Sequence, residues 1–288
     1  MHIDDVNMVG VVGCGLMGSG IVEVCARAGF AVVVREVDET LLKQGLGRVS
    51  ASLARSVQRK RLAQSEMDAT LGRIQGTVAL EDFADCDLVI EAALEIMGEK
   101  RAVFAALDRI TRPEAVLASN TSSLSITEMA AATRRPERVA GLHFFNPVPA
   151  MPLIEIVRGL RTSDETVELG RALGVRLHKT TIVAPDRPGF IVNLLLIPYL
   201  LDAVRALENG VATKEDIDAG IRLGLNHPMG PITLLDFVGL DTTLFIADAM
   251  HAEFKDPRYA APPLLRRMVA AGMLGKKNGK GFYDYHEK

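Results

Sequence analysis

Cysteine is scarce. Cys14, Cys25 and Cys86 are the only three in the 288-residue chain, and no two form a CxxC pair. A disulfide framework and a dithiol motif are thereby set aside, and the small apolar neighbours of all three predict buried packing residues in a reducing compartment. An excess of one charge is also lacking. With 33 basic and 36 acidic residues the net charge is −3, which gives no footprint for a nucleic-acid partner. Long apolar runs are missing too: the longest, Phe190 to Leu201, is interrupted by Asn193 and Pro198 and falls short of the about 20 residues a bilayer span requires. The first residues, Met-His-Ile-Asp-Asp, show no basic region followed by an apolar stretch, so no secretory signal is expected. There are no internal repeats and no low-complexity tracts. What is left is a soluble, cytoplasmic enzyme or binding protein with no membrane partner. At 48% hydrophobic and 24% charged residues it has an ordinary globular composition, and its length suits one large or two moderate domains.

Strand and helix signals alternate through the first two thirds of the chain. Met8 to Val12 is a short apolar run leading into Gly13-Cys14-Gly15-Leu16-Met17-Gly18. Met17, Ile21, Val24, Cys25 and Ala28 then follow at helical spacing, Gly29 can close the helix, and Ala31 to Val34 is a second apolar run. Strand, glycine turn, helix and strand in that order predict a dinucleotide site: the turn brings backbone amides to a pyrophosphate, and the helix N-terminus adds partial positive charge. Glu36, with Asp38 as second choice, ends the second strand where an acid accepts hydrogen bonds from the ribose hydroxyls and repels a 2′-phosphate. NAD is therefore expected over NADP, although Arg35 beside it could pair with a 2′-phosphate and keeps NADP open.

Leu41 to Gly76 reads as charged helix, and Arg55, Arg59, Lys60 and Arg61 form a basic cluster in it. Such a cluster is ordinarily a solvated face; the functional alternative is a clamp for a phosphate-bearing substrate tail. Leu88 to Glu91 is the next strand. Glu95 and Lys100 follow its carboxyl end, where ligands bind in open α/β sheets, and a helix is expected from about Met97 to Ile110. Val116 to Ser119 is a further strand, ending in Asn120-Thr121-Ser122-Ser123; Ser125 and Glu128 then read as a capping box. Ser122 and Ser123 are either turn residues or part of a site at that strand end. Thr162 and Glu165 mark another capped helix closing at Gly174, with Val175–Leu177 and Thr181–Val183 read as strands. From Asp186-Arg187-Pro188-Gly189 onward the alternation stops and helix patterns take over. The expected domains are 1–186 and 187–288. The second opens on an apolar helix from Phe190 to Glu208 carrying Asn193 in its first turn; Thr213 and Asp216 cap the next. A helical half this apolar is expected to bury a subunit interface, most simply that of a homodimer.

The stretch Gly141 to Val157 holds one histidine, His143, and one acid, Glu155, in a run broken by Pro147, Pro149 and Pro152. The prolines forbid a helix. A turn of that length brings the strand around Ile154–Val157 back beside the strand ending at His143. A lone histidine in such surroundings is more often a satisfied core residue. With a buried carboxylate against its ring it has instead what a general base needs.

Taken together, Gly13–Gly18, Glu91–Glu95, Ser119–Leu124, His143–Pro149, Arg187–Asn193 and Gly279–Tyr283 resemble the L-3-hydroxyacyl-CoA dehydrogenase family, and within it the bacterial branch acting on 3-hydroxybutyryl-CoA. The resemblance spans about Val9 to Tyr285. It implies a Rossmann-type, doubly wound, mostly parallel sheet with an all-helical C-terminal domain, and NAD-dependent interconversion of 3-hydroxyacyl-CoA and 3-oxoacyl-CoA in fatty acid or butanoate metabolism. It implies His143 as catalytic base with Glu155 as its partner, and Ser122 and Asn193 as substrate-contacting residues. The implied cofactor positions are Gly13, Gly15, Leu16, Met17, Gly18, Glu36, Glu95, Lys100, Asn120 and Asn146. The family's ribose acid is commonly Asp, so Glu36 is one methylene longer. Arg59 and Lys60 are where a CoA phosphate would dock, no metal is implied, and Asn193 lying past the boundary implies a site in the cleft between domains. The remaining alternatives are an NAD-dependent hydroxy-acid or sugar-acid dehydrogenase on the same scaffold, or a dinucleotide-binding protein without turnover.

Overall fold

The computed structural model describes residues 2–286. The chain divides into two compact units, Met1–Arg187 and Pro188–Lys288. Within the first, the described residues form β1 (Met8–Val12), α1 (Leu16–Arg27), β2 (Ala31–Arg35), α2 (Glu39–Gln58), α3 (Gln64–Leu71), β3 (Ile74–Thr77), β4 (Leu88–Glu91), α4 (Met97–Ile110), β5 (Val116–Ser119), α5 (Ile126–Ala130), β6 (Val139–Phe144), β7 (Leu153–Arg158), α6 (Asp164–Arg176) and β8 (Thr180–Pro185). The strands make one eight-stranded sheet in the order β3-β2-β1-β4-β5-β6-β7-β8. Neighbours pair in parallel except β6 and β7.

Helices on the sheet bury the strands from both sides, which is why they read as continuous Val/Ile/Leu runs without alternation. Val9, Val11, Ile90, Leu117 and Ile156 are fully buried, and the core continues onto Ile21, Cys25 and Leu53 of the helices. This is the expected Rossmann-type sheet. Because β1, β4, β5 and β6 run parallel, their carboxyl ends all open on one edge, and the segments after them carry the site residues.

Four local expectations in the first unit are corrected. Residues 74–77 are not helix but β3, paired with β2; four residues on a sheet edge leave no periodicity to read. Ser163, not Thr162, caps α6 by accepting from the Thr166 N–H, while the Thr162 hydroxyl donates to the Val139 carbonyl at 2.6 Å. That helix runs through Gly174 to Arg176, so Val175–Leu177 is its last turn rather than a strand. At Ser125 only half of the box forms: its Oγ accepts from the Glu128 N–H, and the Glu128 carboxylate lies 3.6 Å from Arg101 instead.

The second unit is helical: α7 (Val192–Glu208), α8 (Lys214–Gly224), α9 (Pro231–Val238), α10 (Leu240–Phe254) and α11 (Pro263–Ala270). The first of these starts at Val192 rather than Phe190, because Phe190 has φ +49° and cannot begin a right-handed turn. Leu200, Leu201, Ile232, Leu235, Met250 and Leu265 form its own core. Two buried carboxylates tie the chain end to it: Asp236 accepts from the Phe282 and Tyr283 amides, both at 2.8 Å, and Asp218 accepts from the Tyr283 hydroxyl at 3.0 Å.

Candidate active site

The glycine turn is built by close approach. Gly13 has φ +92°, and a Cβ on Gly18 would stand 1.9 Å from the Gly13 carbonyl oxygen, so neither position admits a side chain. A Cβ on Gly15 would meet nothing within 4 Å. The turn is thus tight where it packs on itself and open at the helix start. Gly15 caps α1 without a side chain, leaving the first amides of that helix to an anion. Leu16 is 67% exposed beside it, and Met17 is half-buried.

Glu36 reaches into this turn. Its carboxylate accepts from the Cys14 N–H at 2.6 Å and from the Val37 N–H at 3.2 Å. Burial and then that neighbouring charge push the Cys14 thiol up to about 11. The longer side chain thus brings its carboxylate onto the glycine turn. Asp38 instead caps α2, accepting from the Leu41 N–H at 2.8 Å. Arg35 donates from Nε to the Val78 carbonyl at 3.2 Å. An open helix N-terminus with an acid beside it fits an adenine dinucleotide lacking a 2′-phosphate.

Past β4 lies a buried ionic network. Lys100, 1% exposed, holds Glu91 at 2.7 Å and 2.8 Å and Glu95 at 3.2 Å. The Ser119 hydroxyl donates to Glu91 at 2.6 Å. Glu95 in turn accepts from the Thr121 hydroxyl and from the Ser122 N–H at 3.1 Å, which fixes the turn after β5. Lys100 therefore orients Glu95, and Glu95 orients the backbone of Ser122. Asn120 hooks β5 to β6 by accepting from the Phe144 N–H at 2.9 Å.

At the end of β6 the antiparallel register sets His143 directly opposite Glu155 of β7. Paired positions project from the same face of a sheet, and His143 Nδ1 meets Glu155 Oε2 at 2.7 Å. The acid is 0% and the histidine 6% exposed. The Phe145 ring lies 4.6 Å from the imidazole at 55°. A carboxylate at Nδ1 fixes the proton there, which makes Nε2 the basic nitrogen. Asn146 is exposed at the start of the loop that follows.

Two contributors were missed in the sequence. Lys179, at the foot of β8, is buried and donates to the carbonyls of Val148 at 2.7 Å and Met151 at 2.6 Å, pinning the loop between the His143 and Glu155 strands. Asp186 caps α5, accepting from the amides of Ile126 at 2.9 Å and Thr127 at 2.7 Å. A lysine entering an apolar strand was the only available signal for the first; nothing local announced the second. Arg59 and Lys60 follow the end of α2 and are exposed. In the second unit Asn193 is buried in the first turn of α7. Among the described residues no group of three or more His, Cys, Asp or Glu could hold a metal ion, and no helix is long and apolar enough to cross a membrane.

A family model for the 3-hydroxyacyl-CoA dehydrogenase NAD-binding domain matches residues 8–187, and one for that family's C-terminal domain matches 189–285. The chain belongs to the 3-hydroxyacyl-CoA dehydrogenase family. It is accordingly an oxidoreductase whose first unit is the family's NAD-binding domain, in agreement with the glycine turn and Glu36. A 3-hydroxybutyryl-CoA dehydrogenase of Mycobacterium tuberculosis is 52% identical over 287 residues, covering 98% of this chain and 99% of that protein. Among solved structures, M. tuberculosis FadB2 superposes with a TM-score of 0.95 at 52% identity, covering 97% of this chain and 99% of that one. The (S)-3-hydroxybutyryl-CoA dehydrogenase PaaH1 of Ralstonia eutropha superposes with a TM-score of 0.93 at 42% identity, covering 98% and 100%.

Proposed function

We propose that this family member interconverts (S)-3-hydroxyacyl-CoA and 3-oxoacyl-CoA thioesters, 3-hydroxybutyryl-CoA and acetoacetyl-CoA foremost, using NAD. The observation that carries the reading is the buried His143–Glu155 pair, 2.7 Å apart, on the same sheet edge as the glycine turn. In the oxidation direction His143 takes the proton of the 3-hydroxyl at Nε2, and Glu155 stabilises the imidazolium that forms. The glycine turn would hold a nicotinamide cofactor, which would supply the hydride chemistry at C3. In reduction the imidazolium returns the proton to the 3-oxo group. Ser122 and Asn193 are proposed hydrogen-bond donors to the substrate oxygen, helping to stabilise developing charge. Gly13, Gly15, Leu16, Met17, Gly18, Glu36, Glu95, Asn120 and Asn146 are proposed for the cofactor, with Lys100 acting through Glu95.

Arg59 and Lys60 are proposed to dock a CoA phosphate, the enzyme to work as a homodimer, and its place to be the cytoplasm, in fatty acid or butanoate metabolism. Initial rates with acetoacetyl-CoA and with free acetoacetate, each with NADH and NADPH, test the substrate and cofactor together. The expected result is turnover of the thioester with NADH as the better reductant. Turnover of the free acid alone would replace this reading with a hydroxy-acid dehydrogenase.

A further inference from the structure

A cavity of about 480 Å³ opens on the first unit between α1, α3, the loop joining β6 to β7, and the end of α6. It is separate from the site described above: His143, Glu155, Ser122, Glu36 and the glycine turn do not line it. Its walls carry Arg27, Arg73, Arg176, His178 and Lys179 against a single acid, Glu66.

That positive charge is only partly neutralised. Glu66 is engaged in capping α3, accepting from the Ala63 N–H at 2.7 Å. Arg27 has Glu23 at 3.7 Å and Arg176 has the exposed Asp4 at 3.6 Å. Among the described residues, Arg73 donates to backbone carbonyls, those of Ala26 at 3.4 Å and Ala69 at 3.2 Å, and to no carboxylate. Lys179 is the most telling. Its two polar contacts are the carbonyls of Val148 and Met151, and no carboxylate among the described residues lies within ion-pair distance. An ammonium carries three donor hydrogens, and these acceptors use two. Burial holds Lys179 below the usual lysine range, with the Arg27 charge acting in the same direction. A buried lysine with no carboxylate among the described residues in ion-pair distance, lining one concavity with Arg27, Arg73 and Arg176 that is large enough for a small molecule, is the composition of an anion site.

We propose that this cavity binds a small, multiply charged anion of the oligophosphate class, with Arg73, Arg176 and Lys179 as its principal ligands. The bound anion would act on the loop between the two catalytic strands, since Lys179 is what holds that loop. Val148 of the same loop packs against α1, where a Cβ on Gly20 would lie 2.8 Å from the Val148 Cβ. The site is thus placed to tune the geometry on which the His143–Glu155 pair depends.

The test is calorimetric titration of inorganic pyrophosphate into the full-length protein saturated with NADH, so that the glycine turn is already filled. Saturable binding that weakens with added salt is expected. R73E/R176E should weaken it by about tenfold or more while NADH binding is retained. The milder R73Q/R176Q pair, read by the shift in melting temperature on adding pyrophosphate, covers the case in which charge reversal impairs folding. Absence of saturable binding in the NADH-loaded protein, or equal affinity in wild type and R73Q/R176Q, would overturn the proposal. Neither readout depends on which substrate the enzyme turns over.

Discussion

Glu155 does two things for His143: it fixes the ring, and it supplies a negative charge. The substitution E155Q separates them, because an amide can still accept from Nδ1–H but carries no charge. The reaction rate is expected to fall by about tenfold or more in initial-rate assays, with NADH affinity unchanged. A rate equal to wild type would show that the carboxylate's charge does not act on His143. The cysteines give a second residue-scale prediction. Burial pushes Cys14 to about 11 and Cys25 and Cys86 to about 12, so all three are neutral thiols near pH 7 and inert toward an alkylating reagent. Mass spectrometry should find no adducts on the native protein and three after denaturation; rapid labelling of the native protein would contradict the burial. A side-chain pairing was legible in the sequence where each type is rare in its surroundings, as with His143 and Glu155. It was not legible for Lys179, whose role rests on two carbonyls that only folding brings to it.

At the scale of elements, the glycine turn and the strand-to-site segments were readable because each carries its own stereochemistry. Gly13 and Gly18 are required by close approach, and G18A would drive a Cβ into the Gly13 carbonyl. Loss of measurable NADH binding is expected for G18A by fluorescence titration, and unchanged affinity would show that the turn is not the cofactor cradle. The helix expected from about Met97 to Ile110 is present over those bounds. The edge strand β3 was not readable, since only its pairing with β2 makes it a strand. Nor was the end of α6, whose last turn has strand-like residues. Between β4 and α4 the Glu91–Lys100 pair is fully buried, so K100M would leave two carboxylates without their cation. A loss of about 3–5 kcal/mol in urea unfolding is expected; a change under about 1 kcal/mol would mean that the pair contributes little.

For the whole molecule, each unit has its own apolar core, and the change from alternating to all-helical patterning was visible because the two cores obey different periodicities. Asp108 of the first unit contributes to stability toward acid. Burial alone would raise Asp108, but hydrogen bonds from Arg134 and Arg135 outweigh it and hold the carboxyl below the ordinary carboxylate range. A group lowered in the folded state stabilises above its unfolded value of about 3.9 and loses that contribution as the pH falls through the folded one. The melting temperature of D108N should therefore fall below that of wild type at neutral pH and converge with it in strong acid. A constant gap at all pH values would show that this ion pair does not set the acid stability.

Proton transfer by His143 in a 3-hydroxyacyl-CoA dehydrogenase is tested most directly by following nicotinamide absorbance with acetoacetyl-CoA in H143A. The expected rate is about a hundred- to ten-thousand-fold below wild type, with NADH affinity unchanged. Near-normal turnover in that variant would contradict the assignment.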